Sequence, residues 1–284
     1  MKLRKFIFDK QRVAEENDKE DSAVILLLEH VLNVTPSMLF TKIDETLDEE
    51  TILQFDSLFN KYLYENKPIQ YLIGSVCFYG YDFIVNEDVL IPRCETEELV
   101  SNVLFAYDKY FNNSKIKVCD VATGSGCIGI TLKKEAPNME VTITDISERA
   151  LDVARKNSEK LAAYVNILCG DMLEPLEGKF DILVSNPPYI PDEEFVMSLV
   201  KDNEPNIALF GGKDGLKFYN IILRDAKRIL NDNAIIAFEH GYDKKNEIEA
   251  LAKHYFPKSR VETLKDYEGR DRMTLIYLGD FANE

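Results

Sequence analysis

No two cysteines of this 284-residue chain stand in a C-x-x-C spacing: the five lie at 77, 94, 119, 127 and 169, and the three histidines at 30, 240 and 254 are as scattered. A zinc site and a disulfide framework are therefore not expected, and reduced thiols in a cytosolic protein are. No apolar run approaches the ~18 residues of a membrane span, and the first ten residues mix charge into their apolar positions rather than forming a signal-peptide core. The expected location is cytoplasmic, with no membrane partner. Internal repeats and low-complexity tracts are missing as well. Basic residues are in short supply: 34 Lys and Arg against 50 Asp and Glu leave a formal net charge of −16. A phosphate backbone needs clustered Lys and Arg, so no nucleic-acid partner is expected. An acidic surface suits a basic protein partner, or serves solubility alone.

At 45% hydrophobic and 30% charged the chain has a globular composition, long enough for one large domain or one domain plus a smaller one. Residues up to about 70 read as helices. Ala23 to Leu32 is an apolar block too long for a typical strand and ended by Asn33. A second helix starts after Asp48 as N-cap and sets Ile52, Phe55, Phe59 and Tyr62 at helical spacing. The breaker Asn66-Lys67-Pro68 ends it. The aromatic stripe of this half reads as core. From Val76 the period turns strand-like, and Val76 to Val85 with Gly80 at the turn predicts a β-hairpin. Ile91-Pro92-Arg93 then feeds a helix capped by Thr96 or a neighbouring acid. From Lys117 strands and helices alternate, with strands expected over 117–122, 140–144, 165–169, 180–185, 234–239, 260–265 and 273–278. Alternation of this kind predicts an α/β fold with a mostly parallel, doubly wound sheet. The final two strands have no helix between them, so they pair as a hairpin and the last runs antiparallel.

Ligands of such sheets sit at the C-terminal strand ends, and four of these carry polar or glycine-rich pieces. The first runs into Asp120-Val121-Ala122-Thr123-Gly124-Ser125-Gly126-Cys127-Ile128-Gly129, a G-x-G-x-x-G match that suits a nicotinamide dinucleotide or the carboxylate of S-adenosylmethionine equally. Asp145 ends the second strand, where a carboxylate can bind both ribose hydroxyls; alternatively it forms a capping box with Glu148. Gly170-Asp171-Met172 follows the third, with an acid and a soft side chain for an adenine, or as a plain surface turn. The fourth strand leads into Asn186-Pro187-Pro188-Tyr189. Two prolines stiffen that backbone in an extended form, so that Asn186 Oδ1 and the Pro187 carbonyl can accept from both hydrogens of one NH2 group while Tyr189 covers its flat face. A planar amide or amino nitrogen is a poor nucleophile, and holding both hydrogens turns its lone pair toward an attacking direction. A dehydrogenase has no evident use for that tetrapeptide.

The ordered set of motifs resembles the HemK/PrmC family, S-adenosylmethionine-dependent methyltransferases of the glutamine in the Gly-Gly-Gln motif of class 1 peptide chain release factors. The likeness runs from about Pro68 to Leu278. It includes Pro68-Ile69-Gln70-Tyr71-Leu72-Ile73-Gly74, Phe78-Tyr79-Gly80, Ile91-Pro92-Arg93 with Glu95-Thr96-Glu97, Glu204-Pro205, Ala208-Leu209, Gly211-Gly212, Asp214-Gly215-Leu216 and Gly269-Arg270-Asp271-Arg272. Three departures stand out: Cys94 where the family usually has proline, Ala122 for a common glycine, and no glutamine after Glu239-His240-Gly241. The resemblance implies a seven-stranded, Rossmann-like class I methyltransferase domain over 93–284, a helical bundle for substrate recognition over 1–74 and a hairpin linker over 75–92. It implies that Ala122, Thr123, Gly124, Ser125 and Gly126 hold the methionine part of the cofactor, Asp145 the ribose, and Asp171 with Met172 the adenine, with Asn186 also touching the cofactor. Asn186, Pro187, Pro188 and Tyr189 would take the substrate glutamine, with S-adenosylhomocysteine as product. Glu193 to Lys213 reads as a lid, and a monomer is expected. A DNA adenine N6-methyltransferase is the alternative, opposed by the acidic balance; a non-catalytic cofactor-binding module would not need the tetrapeptide.

Overall fold

The computed structural model describes residues 1–283, which divide into two compact units: Met1–Ser75 with Met197–Asn203, and Val76–Val196 with the chain from Glu204 onward. The first unit holds α1 (Leu3–Glu16), α2 (Ser22–Leu32), α3 (Pro36–Thr41), α4 (Glu49–Tyr64) and α5 (Ile69–Ile73). Asn33, in the left-handed conformation at φ 50°, ends α2, and the Asp48 side chain caps α4 by accepting from Thr51 N at 2.8 Å. The core here is Phe6, Leu27, Leu28, Phe55 and Phe59, with Phe6 edge-on to Phe55 at a centroid distance of 4.9 Å. Each such ring contributes roughly 1.5–3 kcal/mol by leaving water. Asn203 Nδ2 donates to Asn66 O at 2.9 Å and so ties Met197–Asn203 into this unit.

In the second unit β1 (Ser75–Phe78) and β2 (Tyr81–Ile84) form the expected hairpin. Its turn residues Tyr79 and Gly80 both have positive φ (52° and 77°), which matches the right-handed twist of the two strands. After α6 (Cys94–Phe111) come β3 (Ile116–Val121), α7 (Cys127–Glu135), β4 (Met139–Asp145), α8 (Glu148–Lys160), β5 (Asn166–Cys169) and β6 (Phe180–Ser185). After the short α9 (Ser198–Lys201), which belongs to the first unit, α10 (Lys217–Ile229), β7 (Leu230–Glu239), α11 (Lys245–Tyr255), β8 (Arg260–Lys265) and β9 (Asp271–Tyr277) follow. The seven-stranded sheet has the order β5-β4-β3-β6-β7-β9-β8, with β9 antiparallel to both neighbours, as the missing helix between the last two strands predicts.

Strand side chains alternate between two cores. Val118, Ile182, Val184, Ile235 and Ala237 enter the cluster with Leu99 and Val103 of α6 and Ile130 of α7. Cys119, Leu183, Ile236 and Phe238 enter the opposite cluster with Tyr219 and Ile222 of α10 and Ile248 of α11. A period of two with both faces covered is what makes these strands read as continuous apolar runs. The chain leaves β3 for β4 on one side and returns to β6 on the other, so the order reverses at β3. The registers Val121↔Thr144 and Val121↔Ser185 set the ends of β4, β3 and β6 side by side, and with them Asp145, Ala122 and Asn186.

Candidate active site

Three of the five residues after β3 turn the chain through positive φ: Ala122 at 58°, Gly124 at 56° and Gly126 at 82°, the last being the N-cap of α7. Asp120 holds this loop from below. Its Oδ2 accepts from the Thr123 hydroxyl and from Gly129 N at 2.9 Å, and burial pushes its pKa up to about 7. A Cβ on Gly129 would lie 2.5 Å from Ile143 Cγ2, so this glycine lets α7 pack on β4, whereas one on Gly124 would meet nothing within 4 Å.

A cleft of ≈ 260 Å³ opens over these strand ends. Ala122, Thr123, Gly124, Ser125, Asp145, Asp171, Met172, Asn186 and Pro188 line it, whereas Gly126, Pro187 and Tyr189 are adjacent in the chain to residues that do. Asp145 Oδ2 accepts from Gly124 N and Oδ1 from Ser147 N, both at 2.9 Å. Each oxygen keeps a further lone pair for a hydroxyl donor. Burial raises the Asp145 pKa, and the backbone N–H groups of Ser147, Gly124 and Ile146 lower it in part. The capping box drawn for Asp145 and Glu148 does not form: Ser147 caps α8, its Oγ accepting from Ala150 N at 3.2 Å, and Glu148 pairs with Arg155. Met172 is buried, and its carbonyl accepts from the Thr144 hydroxyl at 3.2 Å.

Asn186 follows β6, and its Nδ2 donates to Thr96 Oγ1 at 3.2 Å. The Thr96 hydroxyl donates in turn to Glu239 Oε2 at 2.7 Å. Thr96 is thus no helix cap: α6 starts at Cys94 without a side-chain cap, and Thr96, 2% exposed, turns inward from its first turn. Tyr189 is half-buried beside the core of α10, and burial, followed by the charge of Glu239, pushes its hydroxyl up to about 12. The segment from Leu209 supports the tetrapeptide's exit: Ile190 N donates to Leu209 O at 3.0 Å, Gly211 N to Ile190 O at 2.8 Å and Asp192 N to Gly212 O at 3.0 Å. Within the stretch read as a lid, Pro205, Ile207 and Ala208 line the cleft. Glu204, its side chain 2% exposed, fixes their start by pairing with Arg93 at 2.5 Å and accepting from Ile91 N at 3.1 Å.

Asp120, Thr96, Glu239 and the Arg93–Glu204 pair are contributors that local reading misses. The signal for two of them is present, since Asp120 and Glu239 are acids at the ends of apolar strands, where an ionisable group has to find partners. Thr96 and Arg93 carry no such mark. Among the described residues no group of His, Cys, Asp and Glu is arranged to hold a metal ion. Among the described residues no helix is long and apolar enough to cross a membrane.

The chain is similar to known proteins over both units. The PrmC N-terminal domain matches residues 10–74 and the Methyltransferase small domain residues 101–203. A release factor glutamine methyltransferase of Bacillus cereus is 41% identical over 264 residues, covering 91% of this chain and 93% of its own. One of Clostridium acetobutylicum is 42% identical over 275 residues, 93% of this chain and 94% of its own. A methyltransferase from Pyrococcus furiosus of known crystal structure shares the fold at a TM-score of 0.52 and 21% identity, over 80% of this chain and 98% of that one.

Proposed function

The chain belongs to the family of release factor glutamine methyltransferases, and on that premise we propose that its cleft binds S-adenosylmethionine beside the glutamine of a Gly-Gly-Gln motif in a class 1 peptide chain release factor and methylates its side-chain amide nitrogen, N5. One observation carries the reading. Asn186, with its NH2 committed to Thr96, stands in the same cleft as the glycine loop and the two carboxylates Asp145 and Asp171.

The donor set fits this cofactor. The open face of Gly124 gives room for the methionine part and the loop's backbone can meet its carboxylate. Asp145 keeps lone pairs for two ribose hydroxyls, and Asp171 with Ile146 and Met172 offers an acid and apolar surface for adenine. When bound, S-adenosylmethionine supplies a methyl on a sulfonium, which passes to the attacking amide nitrogen while the broken bond's electron pair stays on sulfur, leaving S-adenosylhomocysteine. The protein's part is placement. Asn186 Oδ1 and the Pro187 carbonyl accept the two N–H bonds of the substrate amide, Tyr189 packs on its plane, and the stiff Asn-Pro-Pro backbone keeps both acceptors fixed. No strong base is needed, because an N-methylated amide cation is highly acidic and gives its proton to water. The helical unit would grip the release factor, and the enzyme would act in the cytoplasm as a monomer. The formal net charge of −16 weighs against DNA adenine as substrate.

The reading is tested by transfer of a tritiated methyl group from S-adenosylmethionine to a purified class 1 release factor. A matched factor with glutamate in place of the Gly-Gly-Gln glutamine runs alongside. Label in the first and none in the second is expected; equal label in both would refute the proposed acceptor.

A further inference from the structure

The substrate amide meets one side of Asn186, and the other side is held from within the protein. Thr96 Oγ1 lies 3.2 Å from Asn186 Nδ2 and 2.7 Å from Glu239 Oε2. Both partners are 2% exposed, and they come from α6 and the end of β7. The Glu239 backbone is fixed by its carbonyl, which accepts from the Tyr219 hydroxyl at 2.7 Å. A hydroxyl has one proton. Given to the Glu239 carboxylate, it leaves Thr96 only lone pairs to offer Asn186, and the half of an amide that meets a lone pair is its NH2. Proton direction therefore runs from Asn186 to Thr96 to Glu239, and Oδ1 is the end left for the cleft. With the amide turned over, an NH2 would face the substrate's NH2, two donors with no acceptor between them.

We propose that Thr96 and Glu239 are positioning residues that fix the Asn186 side chain with its oxygen toward the substrate amide. The inference rests on the reading of Asn186 as that acceptor. The relay needs Glu239 ionised, and burial pushes its pKa up to about 7. Thr96, Arg272 of β9 and Asn186 favour the charged form, while Glu95 of α6 opposes it. Tyr189, Tyr219 of α10 and Cys127 of α7 also face this carboxylate, and all three are held neutral by burial. As pH falls through about 7 Glu239 gains a proton and can donate to Thr96, whose own proton is then free to turn to Asn186. The amide is no longer set, and kcat falls on the acidic side.

The test compares the wild type with Thr96→Val, Thr96→Ser and Glu239→Gln, measuring kcat and KM for the release factor and for S-adenosylmethionine across this pH range. Misplacing a reacting group by a fraction of its contact distance costs ~10–100-fold. Thr96→Val is thus expected to lower kcat by ~tenfold or more with the S-adenosylmethionine KM little changed, and Thr96→Ser to restore it. Glu239→Gln still presents an oxygen to Thr96 but does not titrate, and is expected to flatten the acidic limb. Should Thr96→Val not fold, the limb of Glu239→Gln decides. Wild-type kcat in folded Thr96→Val, or an unchanged limb in Glu239→Gln, overturns the inference while leaving the methyltransferase reading standing. A wild type that transfers no methyl to the release factor overturns both.

Discussion

Gly215 lies so close beneath Tyr189 that a Cβ built on it would sit 2.2 Å from the Tyr189 carbonyl oxygen, and its φ is +77°. Gly211 is pressed against the same stretch, where a Cβ would come to 2.5 Å from Pro188 O. The glycines after Leu209 are thus the floor on which the end of the tetrapeptide rests. Gly215→Ala adds backbone strain and a clash with main chain, and is expected to cost ~1–3 kcal/mol of stability. Activity should fall further than stability at a temperature where the variant is folded. Thermal unfolding and kcat measured together check this, and a variant with wild-type turnover would show that the floor is not needed.

Ala122 occupies a left-handed conformation at φ 58°, which costs a residue with a Cβ about 1–2 kcal/mol. Glycine removes that strain and returns part of the gain through the greater freedom of the unfolded chain, about 0.4–1 kcal/mol. Ala122→Gly is expected to unfold one or two degrees higher, at ~2–4 °C per kcal/mol. Ala122→Val should unfold lower. Calorimetry of the three proteins decides, and a lower melting point for the glycine variant would contradict the strain.

Asn186→Ala removes one of the two proposed acceptors but leaves the glycine loop, Asp145, Asp171 and Met172 to hold the cofactor. Turnover is expected to drop by ~100-fold or more, with S-adenosylmethionine affinity by calorimetry within about threefold, roughly 0.6 kcal/mol. Affinity lost in step with turnover would assign Asn186 to the cofactor instead.

Stability and activity should respond to pH in opposite directions. Asp120 and Glu239 are both pushed up to about 7, from ordinary values of 3.8 and 4.5. Between those limits the folded chain binds protons that the unfolded chain does not, so stability rises as pH is lowered through about 7. The formal net charge of −16 also shrinks in that direction. His240 acts against this below about 6.5, since burial keeps it neutral in the fold while the unfolded imidazole protonates. With two groups against one, the melting temperature is expected to be a few degrees higher near pH 6 than near pH 8. The reverse order would mean that the two carboxyls titrate normally.

Much of the second unit is legible in the sequence because its strands are short apolar runs bounded by glycine, proline or asparagine. Phe180 to Ser185 is found at the same residues by pattern and in the structure. The first unit is less so. Helix α1 hides its stripe among charges, with Leu3, Phe6, Ile7 and Ala14 buried and no side-chain cap to mark its start. Local chemistry also took Thr96 for a cap and offered Asp145 a capping box as the alternative to its ribose role, and neither cap forms. Both have the right residue type beside a helix start, but a buried partner from a distant element claims the hydroxyl of one, and Ser147 takes the cap expected of the other. The Thr96–Glu239 contact spans 143 positions, and no local pattern encodes such a separation.

The central claim, methyl transfer to a release factor glutamine, is tested most directly by mass spectrometry of a purified class 1 release factor after incubation with this protein and S-adenosylmethionine. Duplex DNA is treated in parallel. One added methyl group, mapped by fragmentation to the glutamine of Gly-Gly-Gln, with the DNA unchanged, is the predicted result. Methyl on the DNA alone, or an unmodified glutamine after exhaustive incubation, would contradict the account.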